Sequence, residues 1–273
     1  MDRSTYRNWI TGKDLVSFTV TVKETDLYIR ARQNLQSKAF RIVLKYREQL
    51  EKYIDRHPAF ATSLTPVPVT SDAPTMVRAM IEAAAKAGVG PMASVAGAIA
   101  ECVGTELLEY SPEVIVENGG DTFIRSLERR VVGIYTGDSP FSGQLGLQIE
   151  PDDTPLGICT SSGTIGHSLS LGHADAAIVV SPSAALADAA ATAVGNVVHH
   201  ADDVPRALEV GQQIPGVTGV IVVKDDNIGC WGKVTLCRTV TERDAHGQRG
   251  QSRRAGDRQQ RSRGTTDRPG TPG

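Results

Sequence analysis

The sequence predicts an α+β fold, with mixed or antiparallel sheets and flanking helices. Three observations carry this prediction. Alternating apolar and polar runs are separated by short polar turns, as in hairpins. Longer segments place apolar residues at steps of three and four, as in amphipathic helices. The two kinds of segment come as hairpins interleaved with helix pairs, unlike the regular alternation of a parallel βαβ array. No repeat with a period of about 20 to 50 residues is visible.

Leu15 to Val22 reads LVSFTVTV, and Leu27 to Ala31 alternates in the same way after Glu24-Thr25-Asp26, which predicts a hairpin. From Gln36 to Arg56 the residues Ala39, Ile42, Val43, Tyr46, Leu50 and Tyr53 mark one face of a helix. His57-Pro58 is expected to stop it, because the residue before proline is driven out of the helical region. Thr65 to Pro74, with its prolines, reads as a loop or edge strand. A second helix is expected over Thr75 to Ala87, closed by Gly88. The run Met92 to Leu108 is apolar nearly all round, so it suits a core or a dimer interface equally, and a homodimer is left open.

Short strands are expected at Glu113 to Val116, Thr122 to Leu127, Val131 to Tyr135, Leu145 to Ile149, Leu156 to Cys159 and Ala176 to Val180. Helices at Ser183 to Val198 and Val204 to Gln213, then strands at Gly219 to Val223 and Lys233 to Leu236, complete the pattern. Residues 1–237 are therefore read as one α+β domain. Beyond Val240 the chain has no Val, Ile, Leu, Phe, Trp or Tyr, and residues 238–273 carry nine Arg against four acids. Such a tail has nothing to bury and is expected to be disordered. Arginines this diluted make a solvated extension a better reading than a nucleic-acid contact.

The 273 residues are 40% hydrophobic and 22% charged, ordinary globular usage that can fill a core. The N-terminus lacks a signal-like apolar stretch, and no run approaches about 18 apolar residues, so a cytoplasmic protein without membrane contact is expected. Cys102, Cys159, Cys230 and Cys237 show no C-x-x-C spacing and read as buried free thiols. Neither G-x-x-x-x-G-K-[ST] nor G-x-G-x-x-G occurs, which argues against a P-loop or Rossmann enzyme.

Three constellations carry candidate chemistry. Asn118-Gly119-Gly120-Asp121 can bring backbone amides close to a ligand, with Asp121 to take a hydroxyl or a metal, although the same residues also build an ordinary hairpin turn. Thr160, Ser161, Ser162 and Gly163, followed by His167, supply hydroxyls, amides and an imidazole suited to a phosphate or oxyanion, or to a plain loop. In ALADAAATAVG, Asp188 and Thr192 lie four residues apart, so they share a helix face with Cβ atoms about 6 Å apart. A buried Asp costs desolvation unless it is compensated, and a magnesium ion held by Asp188, Thr192 and backbone carbonyls would compensate. Solvent exposure or an arginine partner would serve as well.

At these residues the chain resembles the ApbE-like superfamily of magnesium-dependent flavin transferases, and most of all its uncharacterised cytoplasmic branch. The resemblance spans Ser17 to Leu236. Ser94 to Glu101 (SVAGAIAE) echoes the family's G-G-x-x-K-G-x-A-x-D helix, Asn118 to Asp121 its G-G-D turn, Thr160 to Gly163 its T-S-G turn, and Ala187 to Thr192 its A-D-A-x-x-T helix. It implies an ApbE-like fold, metal ligands at Asp188 and Thr192, and FAD or a related nucleotide along the glycine-rich turns with its diphosphate on the magnesium. Asp121 and His167 would position groups or move protons.

Ala96 stands where the transferases carry lysine, Glu101 replaces their Asp, and their H-I-x-x-P-x-T-G segment has only GHSLSLG, Gly166 to Gly172, as its nearest counterpart. Two readings follow. One is phosphoryl or flavin-nucleotide transfer, or FAD hydrolysis. The other is a non-transferring accessory or binding protein in sulfur assimilation or cofactor metabolism, with Cys159 as a reactive thiol if nearby amides or His167 lower its pKa.

Overall fold

A computed structural model describes residues 14–137, 139–163 and 171–239. The tail beyond Thr239 and His167 both fall outside the described residues.

Eight strands form the main sheet: β1 (Val16–Val22), β2 (Thr25–Ala31), β3 (Val114–Asn118), β4 (Asp121–Arg125), β7 (Leu156–Ser161), β8 (Ala176–Ser181), β9 (Gly219–Lys224) and β10 (Asn227–Gly232), in that spatial order. Every neighbouring pair is antiparallel. A smaller antiparallel sheet has the order β11-β6-β5, from β5 (Arg130–Gly133), β6 (Leu145–Ile149) and β11 (Leu236–Arg238).

The helices are α1 (Gln36–Arg56), α2 (Pro58–Thr62), α3 (Thr75–Ala87), α4 (Val95–Leu107), α5 (Ala184–Asn196) and α6 (Val204–Gln213). They cover one face of the large sheet, and the small sheet covers part of the other. Two apolar clusters mark these layers. Phe18, Leu27, Ile29, Val116, Phe123, Cys159 and Val179 face the helices, whereas Ile115, Ile124, Ile158, Ile178 and Ile221 face Val132, Leu147 and Ile149 of the small sheet. The alternation along each strand sorts its side chains between the two cores. Central strands are buried on both sides, so β8 is buried at all its positions and reads as a continuous apolar run.

Helix α5 is the innermost helix, packed against α3, α4, β7 and β8. Its alanines let neighbours approach to backbone contact: a Cβ on Gly157 of β7 would lie 2.3 Å from the Cα of Ala184. Helix α4 also lies in the core, against β3, β4 and α5. No single described helix is long and apolar enough to cross a membrane.

Three local expectations need correction. Pro58 ends α1 but also opens α2, since proline fits the first helical turn where no amide partner is required. The segment Asn227–Gly232 (NIGCWG) forms β10 although it lacks alternation; it is recruited by pairing with β9. The strand expected over Lys233 to Leu236 instead begins at Leu236. Of the four free cysteines only Cys159 is buried; Cys102 and Cys237 are half-buried and Cys230 is exposed.

At the far side of the sheet a buried ion cluster ties the chain together. Glu113 is fully buried, and its Oε2 accepts hydrogen bonds from Arg130 Nη2 at 2.6 Å and Ser126 Oγ at 3.1 Å. Arg32 also donates to its Oε1. Arg130 donates Nη1 and Nη2 to Asp14 at 2.6 and 2.9 Å. Burial opposes ionisation of Glu113, but the two guanidinium groups outweigh it and hold the carboxyl below its ordinary value. Glu113→Ala takes from buried Arg130 one of its two carboxylate partners, so it should lower unfolding free energy by about 3–5 kcal/mol in urea titration.

The hydrogen bond from Arg130 holds the Asp14 carboxyl at about 2, against an ordinary 3.8. A folded value below the unfolded one means that this stabilisation is complete above about 4 and is lost as pH falls towards 2. Asp14→Asn should therefore flatten the loss of urea resistance between pH 4 and pH 2 relative to the parent chain.

Candidate functional site

The hairpin joining β3 and β4 turns on two residues, Gly119 and Gly120, with φ of 68° and 114°. Positive φ at both central positions matches the twist of the flanking strands, and glycine adopts it without strain. Asn118 pairs with Asp121 across the turn. The Gly120 amide donates to Glu117 Oε1 at 2.9 Å, so that amide already has a partner. Val116 and Phe123 belong to the helix-side core. Asn118 and Asp121, two residues along their strands, therefore also face the helices.

On the helix side they meet the start of α4. Asn118 Nδ2 donates to the Ala96 carbonyl at 3.1 Å. In the same turn the Gly97 amide donates to Asp188 Oδ2 of α5 at 2.9 Å. Gly97 is required there: a Cβ would lie 2.2 Å from the Ala184 carbonyl oxygen and 2.8 Å from Asp188 Cβ. The first-turn amides of α4 have no partner within their helix and carry its positive dipole end, so a carboxylate is a natural partner. Nearby, Glu101 Oε2 accepts from Ser183 Oγ and the Ala185 amide, each at 3.0 Å, and so caps the start of α5.

Asp121 Oδ1 accepts from the Thr160 amide at 3.2 Å. Burial pushes the Asp121 carboxyl up to about 7, with the charge of Glu117 adding to the shift. Burial also pushes Asp188 well above its ordinary value, reinforced by the charge of Asp121, although the residue is half-buried and the Gly97 amide opposes the shift. The charge of Asp121 thus adds to the cost of ionising Asp188, and no Arg, Lys or His partner of either occurs among the described residues.

The hydroxyl turn divides. Cys159 donates its S–H to the Ala184 carbonyl at 3.3 Å, and Ser161 packs beside Gly195, so both side chains face α5. The Thr160 side chain therefore points to the opposite face of the sheet, and its contribution here is the backbone amide given to Asp121. Ser162 follows the strand end, and Gly163 lies against the backbone of Gly172 and His173, donating its amide to the Ala174 carbonyl at 2.9 Å. Thr192 sits one turn after Asp188 on α5, half-buried. Cys159 is fully buried, and burial together with Asp121 and Asp188 raises its thiol well above the ordinary value, the opposite of the activation a reactive thiol needs.

Two contributors were not legible as site residues in the sequence. One is the Gly97 amide, whose only local signal is a glycine inside a helix. The other is a cleft of about 370 Å³ whose lining includes Arg47, Ile54, Met92, Ile99, Ala96 and Asn118. Among the described residues no group of three His, Cys, Asp or Glu side chains converges as a metal site. A cation here would rely on carboxylate, hydroxyl, backbone and water oxygens. That oxygen-only set suits magnesium, and a facing pair of desolvated carboxyls without a cationic side chain is the environment such an ion would relieve.

A family profile described as AbpE bacteria matches residues 7–227. The UPF0280 protein MJ1526 of Methanocaldococcus jannaschii is 42% identical over 221 residues, covering 79% of this chain and 90% of the relative. A UPF0280 protein of Methanocella arvoryzae is 42% identical over 215 residues, covering 78% and 87%. Among solved structures, the flavin transferase ApbE from Vibrio cholerae superposes with a TM-score of 0.51 at 13% identity, covering 80% of this chain and 96% of that one. At that identity the likeness shows the ApbE fold.

Gly97→Ala tests the contact between α4 and α5. Its methyl group has no room, so the helices must part and Asp188 must leave its amide. The expected cost is about 1–3 kcal/mol of stability, read from urea midpoints.

Proposed function

We propose that this chain, which belongs to the AbpE bacteria family, binds FAD or a related flavin nucleotide through a magnesium ion at Asp188 and Thr192, in the cytoplasm. The observation that carries the proposal is the pair of neighbouring carboxyls, Asp121 and Asp188, held by backbone amides and the Cys159 thiol with no cationic partner among the described residues. Bound magnesium would supply charge neutralisation and polarise a phosphoryl oxygen.

The protein's own groups would do the rest. The Gly97 amide orients the Asp188 carboxylate from one side, leaving its remaining lone pairs for a ligand. Asp121, with its carboxyl raised to about 7, can hold or release a proton near neutral pH, as a general acid or base requires. The Thr160 amide fixes its orientation. Ser161, Ser162, Gly163, Gly119 and Gly120 are assigned to the nucleotide, and His167 to positioning it. This arrangement serves phosphoryl or flavin-nucleotide transfer, or FAD hydrolysis.

Ala96 favours a second reading, binding without transfer, as an accessory protein in cofactor metabolism or sulfur assimilation, because no lysine stands there to meet a phosphate. Buried and protonated, Cys159 is not assigned a reactive role in it.

Calorimetric titration with FAD and FMN, with and without magnesium, tests the proposal. Magnesium should tighten FAD binding, and Asp188→Ala should weaken it by about tenfold or more, the scale of one lost charge-assisted contact. Release of AMP on incubation with FAD selects the enzyme reading, and binding without release selects the accessory one. Affinity indifferent to both magnesium and Asp188→Ala would overturn the site.

A further inference from the structure

The cleft beside the carboxyl pair has a composition that selects its ligand. Leu50 and Ile54 of α1 line it, as do Met92 of the 3-10 turn Pro91–Ser94 and Val95 and Ile99 of α4. Its outer end is polar. Arg47 Nη1 donates to Thr25 Oγ1 at 2.7 Å, and Arg47 Nη2 pairs with Glu24 at 2.6 Å and Glu51 at 2.9 Å. Lys23 pairs with the other oxygen of Glu51 at 2.8 Å. Two cations are thus balanced by two carboxylates, leaving no net positive charge to attract a phosphate. One hydrogen-bonding group remains open: Arg47 Nε is buried and has no partner among the described residues. A buried donor without a partner is unfavourable, and a ligand acceptor would relieve it.

Asn118 and Ala96 also line the cleft, joined by their hydrogen bond, and the next residue of the chain, Gly97, holds Asp188. A largely apolar slot with an open N–H is therefore walled in part by a residue adjacent to the one that holds Asp188.

We propose that this cleft binds a flat, uncharged heteroaromatic ring whose edge acceptor takes the Arg47 Nε hydrogen, with any phosphates directed inward to the Asp188 end. The inference rests on the proposed nucleotide function and deepens it by fixing which end of the ligand lies where. Arg47 is then the specificity-determining residue for the ring. It lies on α1, outside every motif of the sequence resemblance. Both a flavin ring and a purine offer the required acceptor, so the shared chemistry is a neutral ring.

Riboflavin and adenosine, both free of phosphate, are the probes, with binding followed calorimetrically on the full chain. At least one should bind, with the same affinity in EDTA as in magnesium, and whichever binds identifies the ring. Ile54→Trp, at a half-buried position on the cleft wall, should abolish that binding. Arg47→Lys keeps the charge that Glu24 and Glu51 require but removes the Nε–H, and should weaken binding by about tenfold. Unchanged thermal melts of both variants confirm that folding is intact. The proposal is overturned if neither probe binds, or if binding ignores both substitutions. Magnesium-dependent FAD binding that ignores Ile54→Trp would sink the cleft and leave the proposed function standing. Ring binding in the cleft, with FAD binding blind to magnesium and Asp188→Ala, would do the reverse.

Discussion

The candidate site depends on the backbone contact between α4 and α5. Gly97 and Ala184 bring the two helices so close that a single added methyl would strike a carbonyl oxygen. That approach sets the height of α5 above the sheet and aims the first amides of α4 at Asp188. It also leaves the carboxyl facing Asp121 at the end of the β3–β4 hairpin. Ordinary close packing accounts for the proximity of the helices. It does not account for a second carboxyl buried beside the first, where each is pushed towards its neutral form.

Much of the fold was legible because local signals agreed with one another. The apolar stripe of α1 gives its length, and Gly88, with φ of 72°, ends α3 where the pattern stops. β10 was illegible for a physical reason: two glycines and no alternation give it no preference of its own, and pairing with β9 supplies the conformation. Pro58 carried two messages, and only the one about the preceding residue was read.

The site was partly legible for a different reason. Asp188 and Asn118-Gly119-Gly120-Asp121 are conspicuous in sequence because a carboxylate among alanines and a paired glycine break the surrounding pattern. Their juxtaposition is a property of the folded sheet, not of either segment. The facing of Thr160 follows from strand parity, which becomes fixed only once Cys159 and Ser161 are known to lie against α5. Arg47 gave no signal at all, being one of several basic residues on an amphipathic helix; its Nη atoms are taken by Thr25, Glu24 and Glu51, while its Nε–H has no partner among the described residues.

The alanine-rich composition of α5 has a consequence for how this chain can diverge. Most neighbours of α5 are met by methyl groups or bare backbone, so the helix has few long side chains that could swing aside to absorb a change. A larger residue on a buried position would displace the sheet on one side or α3 and α4 on the other. Drift is therefore expected to accumulate in the cleft walls and peripheral loops, where side chains are longer and can compensate one another, while the spacing between Asp121 and Asp188 is inherited almost unchanged. Such an architecture would let the cleft walls vary across relatives while holding the carboxyl pair in place.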